Sequence, residues 1–234
     1  MKYTSVLLDA DMTLWDFNAS ERCALRDVTG SLGLELTPDM EAYYHQVNAG
    51  YWRRFDLKEV TREELTVGRF ADYIAYLGVN ADPAEVNHRY EQALGNYSIM
   101  LPGALELVQA LAARYLLYIV TNGLHTAQTG RFEKSPIKPY ISGLFISQDM
   151  DCQKPEREFF EKVFAAIGLS DRREVVMVGD SLTSDIRGGI NAGIDTVWYN
   201  PGHLPRDPDC LPTVEAHTME EIADKCDAAL IPGT

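Results

Sequence analysis

The chain has 234 residues, 46% of them hydrophobic and 24% charged, the proportions of an ordinary folded domain, which excludes a disordered chain or a fibrous repeat. Its 35 acidic residues outnumber 21 basic ones for a formal charge of -14, and no basic run exceeds Arg53-Arg54 or Arg172-Arg173. A nucleic-acid polymer, whose phosphates must be met by many cations, is therefore not an expected partner.

Tyr3 to Leu8 reads as a buried, β-branched strand that stops at Asp9. Asp9 and Asp11 also break the apolar start of the chain, so it does not read as a secretory signal, and a cytoplasmic location is expected. From there to Leu101-Pro102-Gly103 the periodicity is helical: Leu25, Val28 and Leu32 share a face, as do Tyr73, Ile74 and Leu77, and Val86, Tyr90 and Leu94. Asn18 or Ser20 is expected to cap the first helix, Asp82-Pro83 to start another, and Gly33 and Gly78 to end helices. A crossover between parallel strands needs only about a dozen residues, so 17–99 is expected to be an inserted helical cap, with 1–16 and 100–234 forming the core.

Leu116 to Val120 is the next strand, running into Thr121-Asn122-Gly123. Gly143 to Ser147, Val175 to Val178 and Thr196 to Tyr199 follow, the second of these running into Gly179-Asp180-Ser181. The run from Tyr115 to Val120 is the longest apolar stretch, far below the roughly 20 residues of a membrane-spanning helix, so no membrane partner is expected. The tail from Pro201 predicts a loop and a final surface helix over Met219 to Leu230. Cys23, Cys152, Cys210 and Cys226 lack zinc-site spacing and read as reduced thiols. Strands that are apolar on both faces and alternate with helices predict an α/β, Rossmann-like three-layer core around a five-stranded parallel sheet. Ligands of such sheets sit at the carboxyl ends of the strands, which is where the polar residues fall.

Two carboxylates, Asp9 and Asp11, at the end of a buried strand are costly unless a cation or a proton relieves them. Asp180 and Asp185 add two more, and Lys154 in Gln153-Lys154-Pro155 adds one cation. Four carboxylates and one lysine, brought together, leave -3 and call for a hard divalent ion. Oxygen-only ligation by few protein groups suits Mg2+, and no calcium-binding loop sequence is present. Beside such an ion Asp9 can attack phosphorus, Thr121, Asn122 and Lys154 can hold the transferring oxygens, and Asp11 can serve as general acid and base.

Asp9-x-Asp11-x-Thr13 after the first strand, Thr121-Asn122 after the second, Lys154-Pro155, and Gly179-Asp180-x4-Asp185, in this order, resemble the four motifs of the haloacid dehalogenase-like hydrolases. The resemblance implies Mg2+ dependence and a phosphoaspartate intermediate, with Asp9 as nucleophile and metal ligand. It also implies Asp11 as acid/base and backbone-carbonyl ligand, Asp180 as metal ligand, and Asp185, with Thr13, in support. Helices inserted between the first two motifs match the family's C1 cap class. Asp11 is absent in true dehalogenases, whose halide leaves without a proton, so it favours phosphate esters.

Thr13-Leu14-Trp15-Asp16-Phe17, Asn48-x3-Trp52-x2-Phe55, Thr121-Asn122-Gly123 with Gln128 and Arg131, and Gly188 to Gly193 followed by Val197 to Asn200 resemble more closely the noncanonical pyrimidine nucleotidases. That group's 5'-nucleotidase activity implies a nucleoside monophosphate as the small-molecule partner. Ser147-Gln148 and Glu156 depart from the group's usual Ser-Glu and Asp, and neither removes a catalytic group.

Each motif alone has a plainer reading: a turn or helix cap at Asp9 and Asp11, a helix cap at Thr121-Asn122, and a surface lysine at Lys154. Asn48, Trp52 and Phe55 fall on one helical face, where burial in the cap is read ahead of contact with substrate. Gly188, Gly189 and Gly193 read as close helix packing, and His125 as a surface histidine. A phosphosugar phosphatase, a mutase or a silent binding protein on the same fold are the alternatives, and monomer and dimer are both open.

Overall fold

β1 (Ser5–Leu8) is buried along its whole length because it is flanked on both edges. In the computed structural model, which describes residues 3–228, its neighbours are β2 (Leu116–Thr121) and β4 (Val175–Gly179). β3 (Gly143–Ile146) lies beyond β2, while β5 (Asp195–Tyr199) and β6 (Val214–Ala216) lie beyond β4. All pairings are parallel and the order is β3-β2-β1-β4-β5-β6, so the strand order reverses at β1. That reversal opens a crevice at the carboxyl ends of β1 and β4, where Asp9 and Asp180 stand.

Alternating side chains of β1 serve two faces. Val6 and Leu8 pack with Leu107 and Leu111 of α5 (Ala104–Ala112) and with Ile222 and Cys226 of α10 (Met219–Ala228). Leu7 packs on the opposite face with Phe159, Phe160 and Val163 of α8 (Arg157–Ile167). Two expectations are corrected here. A sixth strand stands where a loop was expected, since the three residues of β6 are too few to show alternation. The last helix is not confined to the surface: Met219, Ile222 and Cys226, spaced three and four apart, bury one face in the core, and Leu230 lies outside the described residues.

Four helices occupy the segment between β1 and β2: α1 (Phe17–Ser31), α2 (Pro38–Asp56), α3 (Arg62–Leu77) and α4 (Pro83–Leu94). They enclose a core of their own, in which Tyr44 meets Phe70 and Tyr73 with ring centres 5.2 Å apart in each pair. Asp16 caps α1 by accepting from the Ala19 N–H, not Asn18 or Ser20 as expected, because the helix begins at Phe17. Thr61 and Glu64 form a reciprocal capping box on α3, and Gly78 ends it with φ 66°. The chain leaves and returns side by side: the Asp16 N–H donates to Ile99 O and the Leu101 N–H to Leu14 O, each at 2.9 Å. No helix among the described residues is long and apolar enough to cross a membrane, and the four cysteines form no disulfide with one another.

Candidate active site

The loop after β1 is folded tightly on itself. The Asp9 N–H donates to Val178 O of β4, and the N–H groups of Leu14 and Trp15 both reach Ala10 O at 2.9 Å. Met12 takes up the strain with a left-handed φ of 63°, a conformation that costs a non-glycine residue about 1 kcal/mol. Asp9 and Asp11 thereby flank a fixed bend and open onto one cavity.

Lys154 is 1% exposed and gives its ammonium three acceptors: Asp9 Oδ1 at 2.5 Å, Asp185 Oδ1 at 2.7 Å and Val120 O at 2.8 Å. Burial opposes its charge, but Asp185 and Asp9 outweigh that and hold its pKa above the ordinary lysine value. Asn122 fixes the Lys154 backbone from both ends of its amide, accepting from the Lys154 N–H at 2.9 Å and donating to Lys154 O at 2.8 Å. The Asn122 side chain is therefore committed to joining two loops, whereas Thr121 Oγ1 accepts only the Gly123 N–H at 3.0 Å. Since the three ammonium hydrogens of Lys154 are taken, it can reach a phosphate oxygen only by sharing one of them.

Asp180 is positioned by Thr13, whose hydroxyl accepts its N–H at 3.1 Å and donates to its Oδ1 at 3.3 Å, and by the Trp198 indole N–H on its carbonyl at 2.8 Å. Asp185 has no exposed surface and accepts the Ser181 N–H at 3.0 Å. A Cβ on Gly179 would lie 2.2 Å from Asp185 Oδ2, so only glycine admits this carboxylate. Asp9, Asp180 and Asp185 each present an oxygen within 4.8 Å of the others. Burial, and then the charge of Asp185, push Asp9 well above the usual carboxylate range against the pull of Lys154. The same two causes push Asp180 up to about 7. Crowded oxygen ligands that resist ionising on their own fit a hard divalent cation such as Mg2+.

Both oxygens of Asp11 are held from α6 (His125–Lys134): Gln128 Nε2 donates to Oδ2 at 2.6 Å, and Arg131 Nη1 pairs with Oδ1. Arg131 has no exposed surface and packs 4.6 Å from the centre of the Trp15 ring. Its presence corrects the charge expected at the site: four ionised carboxylates against Lys154 and Arg131 sum to -2, not -3. Gln128 and Arg131 stood in the sequence three positions apart just after Thr121-Asn122, but nothing there indicated that they face Asp11.

The cavity, of about 260 Å3, has these polar groups on one side and Phe17, Trp52, Tyr90 and Leu94 of the four-helix insert on the other. Trp52 reaches it, but Asn48 does not: it is 4% exposed and lies behind the wall, donating to Glu21 Oε1 at 2.8 Å and accepting from Arg69 Nη1 at 2.9 Å. Asn48 as a substrate contact is thus corrected to a support for Arg69, because the helix turns its amide inward. Phe55 faces a different cleft with Arg62 and Lys58. Arg69, missed in the sequence, lines the cavity; its signal was a cation four residues after Leu65 and four before Tyr73, on the apolar face of α3. His125 is exposed and pairs with Asp149, away from the cavity. Gly188 and Gly189 serve packing, since a Cβ there would meet Phe160 at 2.6 Å and Thr196 at 2.4 Å.

A family model described as haloacid dehalogenase-like hydrolase matches residues 3–193. Pyrimidine 5'-nucleotidase PynA of Streptococcus pneumoniae is 37% identical over 232 residues, 99% of this chain and 98% of its own. Pyrimidine 5'-nucleotidase YjjG of Escherichia coli is 31% identical over 222 residues, 95% and 97% of the two chains. The crystal structure of HAD-hydrolase YfnB from Bacillus subtilis, described as bound to magnesium and as revealing interdomain movement, superposes with a TM-score of 0.90 at 37% identity, covering 96% of this chain and 99% of that one.

Proposed function

Because the chain belongs to the haloacid dehalogenase-like hydrolases, we propose that it is a cytoplasmic, Mg2+-dependent 5'-nucleotidase acting on pyrimidine nucleoside monophosphates through an aspartyl-phosphate intermediate. The observation that carries this reading is the shared cavity, in which Asp9, Asp11, Lys154 and Asp180 face one end and the rings of Phe17, Trp52 and Tyr90 the other. One end suits a phosphate, and the other a flat, weakly polar group. Residues 17–99 act as the cap and 1–16 with 100–234 as the core, the cap closing over bound substrate to exclude water.

Asp9 and Asp180, with the Asp11 backbone carbonyl, would hold Mg2+, and Asp185 and Thr13 would support them. When bound, the ion supplies the positive charge that lets an anionic carboxylate approach an anionic phosphate. An Asp9 oxygen bonds to phosphorus as the ester bond breaks, and Asp11 gives a proton to the departing 5'-oxygen. Asp11 then takes a proton from water, whose oxygen bonds to phosphorus as the bond to Asp9 breaks, releasing inorganic phosphate and restoring the carboxylate. The Thr121 hydroxyl and the Lys154 ammonium hold the transferring oxygens, with the Asn122 amide keeping Lys154 in place.

The test is phosphate release from a panel of nucleoside monophosphates and sugar phosphates, with Mg2+ and with excess chelator. Chelator-sensitive release led by pyrimidine nucleotides is expected. A lead by sugar phosphates would replace the substrate and keep the chemistry, and no release from any member would overturn the proposal.

A further inference from the structure

Among the described residues, Arg69 is the one cation on the cap side of the cavity, and it is 2% exposed. Its surroundings fix the guanidinium without saturating it. Nη1 donates to Asn48 Oδ1 at 2.9 Å and Nη2 to Asn87 Oδ1 at 2.8 Å, while the rings of Phe70 and Tyr90 pack 5.2 and 5.1 Å from its central carbon. Both asparagines are themselves held, Asn48 by Glu21 and Asn87 by Glu91. The buried Nε–H has no acceptor among the described residues. An unmet buried donor is costly, and here it belongs to a residue on the wall of the cavity that takes the leaving group.

We infer that Arg69 is a specificity-determining residue that donates a hydrogen bond to the O2 carbonyl of a pyrimidine base, with the base packed against Trp52. This inference rests on the nucleotidase reading above. The chemistry selects O2. A guanidinium only donates, so it asks for an acceptor. Uracil, thymine and cytosine share one carbonyl, O2, beside the glycosidic bond, and differ at position 4, where cytosine carries an amine. Adenine has no carbonyl, and guanine's O6 lies at the edge remote from the sugar. A rigidly held donor therefore accepts all three pyrimidines and favours them over a substrate without a base, while a purine, which offers its ring nitrogen N3 in the place of O2, is disfavoured by the size of its fused rings. Trp52 offers a ring face that tolerates any base, so the hydrogen-bonded recognition of the base falls to Arg69.

The experiment compares kcat/KM for UMP, CMP, AMP and ribose 5-phosphate in wild type, Arg69→Met and Arg69→Lys, with Mg2+ present and the fold of each variant checked by thermal melting. The ratio of UMP to ribose 5-phosphate is expected to fall at least tenfold in both variants, with an equal fall for CMP, because lysine restores charge without the fixed fork. Equal losses on nucleotides and ribose 5-phosphate would overturn the inference by placing Arg69 in phosphate binding or in folding. A loss confined to UMP would also overturn it, pointing to O4. If wild type has no preference for pyrimidine nucleotides over ribose 5-phosphate, the nucleotidase reading fails and the inference with it. If that preference exists and survives both substitutions, the inference alone fails.

Discussion

Arg131 and Asp11, 120 positions apart in sequence, form an ion pair over the Trp15 ring, and among the described residues the arginine has no partner for its Nε and Nη2. The acid/base candidate is thus oriented from beneath by a fully buried cation on α6. Removing either member leaves a charge stranded, more severely for the arginine, which is wholly buried while the Asp11 side chain is 26% exposed.

Asp11→Ala is therefore expected to destabilise the fold by about 3 kcal/mol, measured by urea unfolding without metal. Arg131→Met is expected to slow hydrolysis roughly tenfold or more on alkyl phosphates, and less on nitrophenyl phosphate, whose leaving group needs no proton. Equal losses on both esters would show that Arg131 serves the fold alone.

Asp9→Asn should lower turnover by at least about a thousandfold, because the nucleophile is removed. Its metal-free melting temperature is expected to equal or exceed that of wild type, since a carboxylate crowded by Asp185 and Asp180 has been neutralised. Calorimetry beside a phosphate-release assay separates the two effects.

Lys154→Met leaves Asp9 and Asp185 facing each other without the cation between them. A loss of about 3–5 kcal/mol is expected at pH 8. The deficit should shrink at pH 5, where a proton can replace the lysine, and paired urea titrations at the two pH values measure it.

Asp180 titrates near 7 in the folded, metal-free protein, above the ordinary aspartate value of 3.8, so the folded state carries the extra proton between those limits. Its contribution to stability is full below about 4 and is lost as pH rises through about 7. A cation must displace that proton below pH 7, so Mg2+ affinity is expected to climb by up to about tenfold per pH unit up to 7 and then level off. The melting temperature gained on adding Mg2+ should accordingly be larger at pH 8 than at pH 5.5, and a gain independent of pH would contradict the assignment.

The sequence by itself determined the sheet's central strands, the helical insert and the three polar strand ends, because each depends on local patterns: unbroken apolar runs, period 3.6, and polarity that changes abruptly at Asp9, Thr121 and Asp180. β6 and the buried face of α10 escaped because a three-residue strand has no period and a terminal helix needs its partner α5 to show which face is inside. Within the site, only the tertiary structure decided which charges meet. Arg131 reaches Asp11 from another element, Asn122 turns its amide onto the Lys154 backbone, Asn48 points away from the cavity and Arg69 into its wall. Those outcomes depend on contacts between elements far apart in the chain, α6 with the loop after β1 and α2 with α3 among them, which no spacing along the chain encodes.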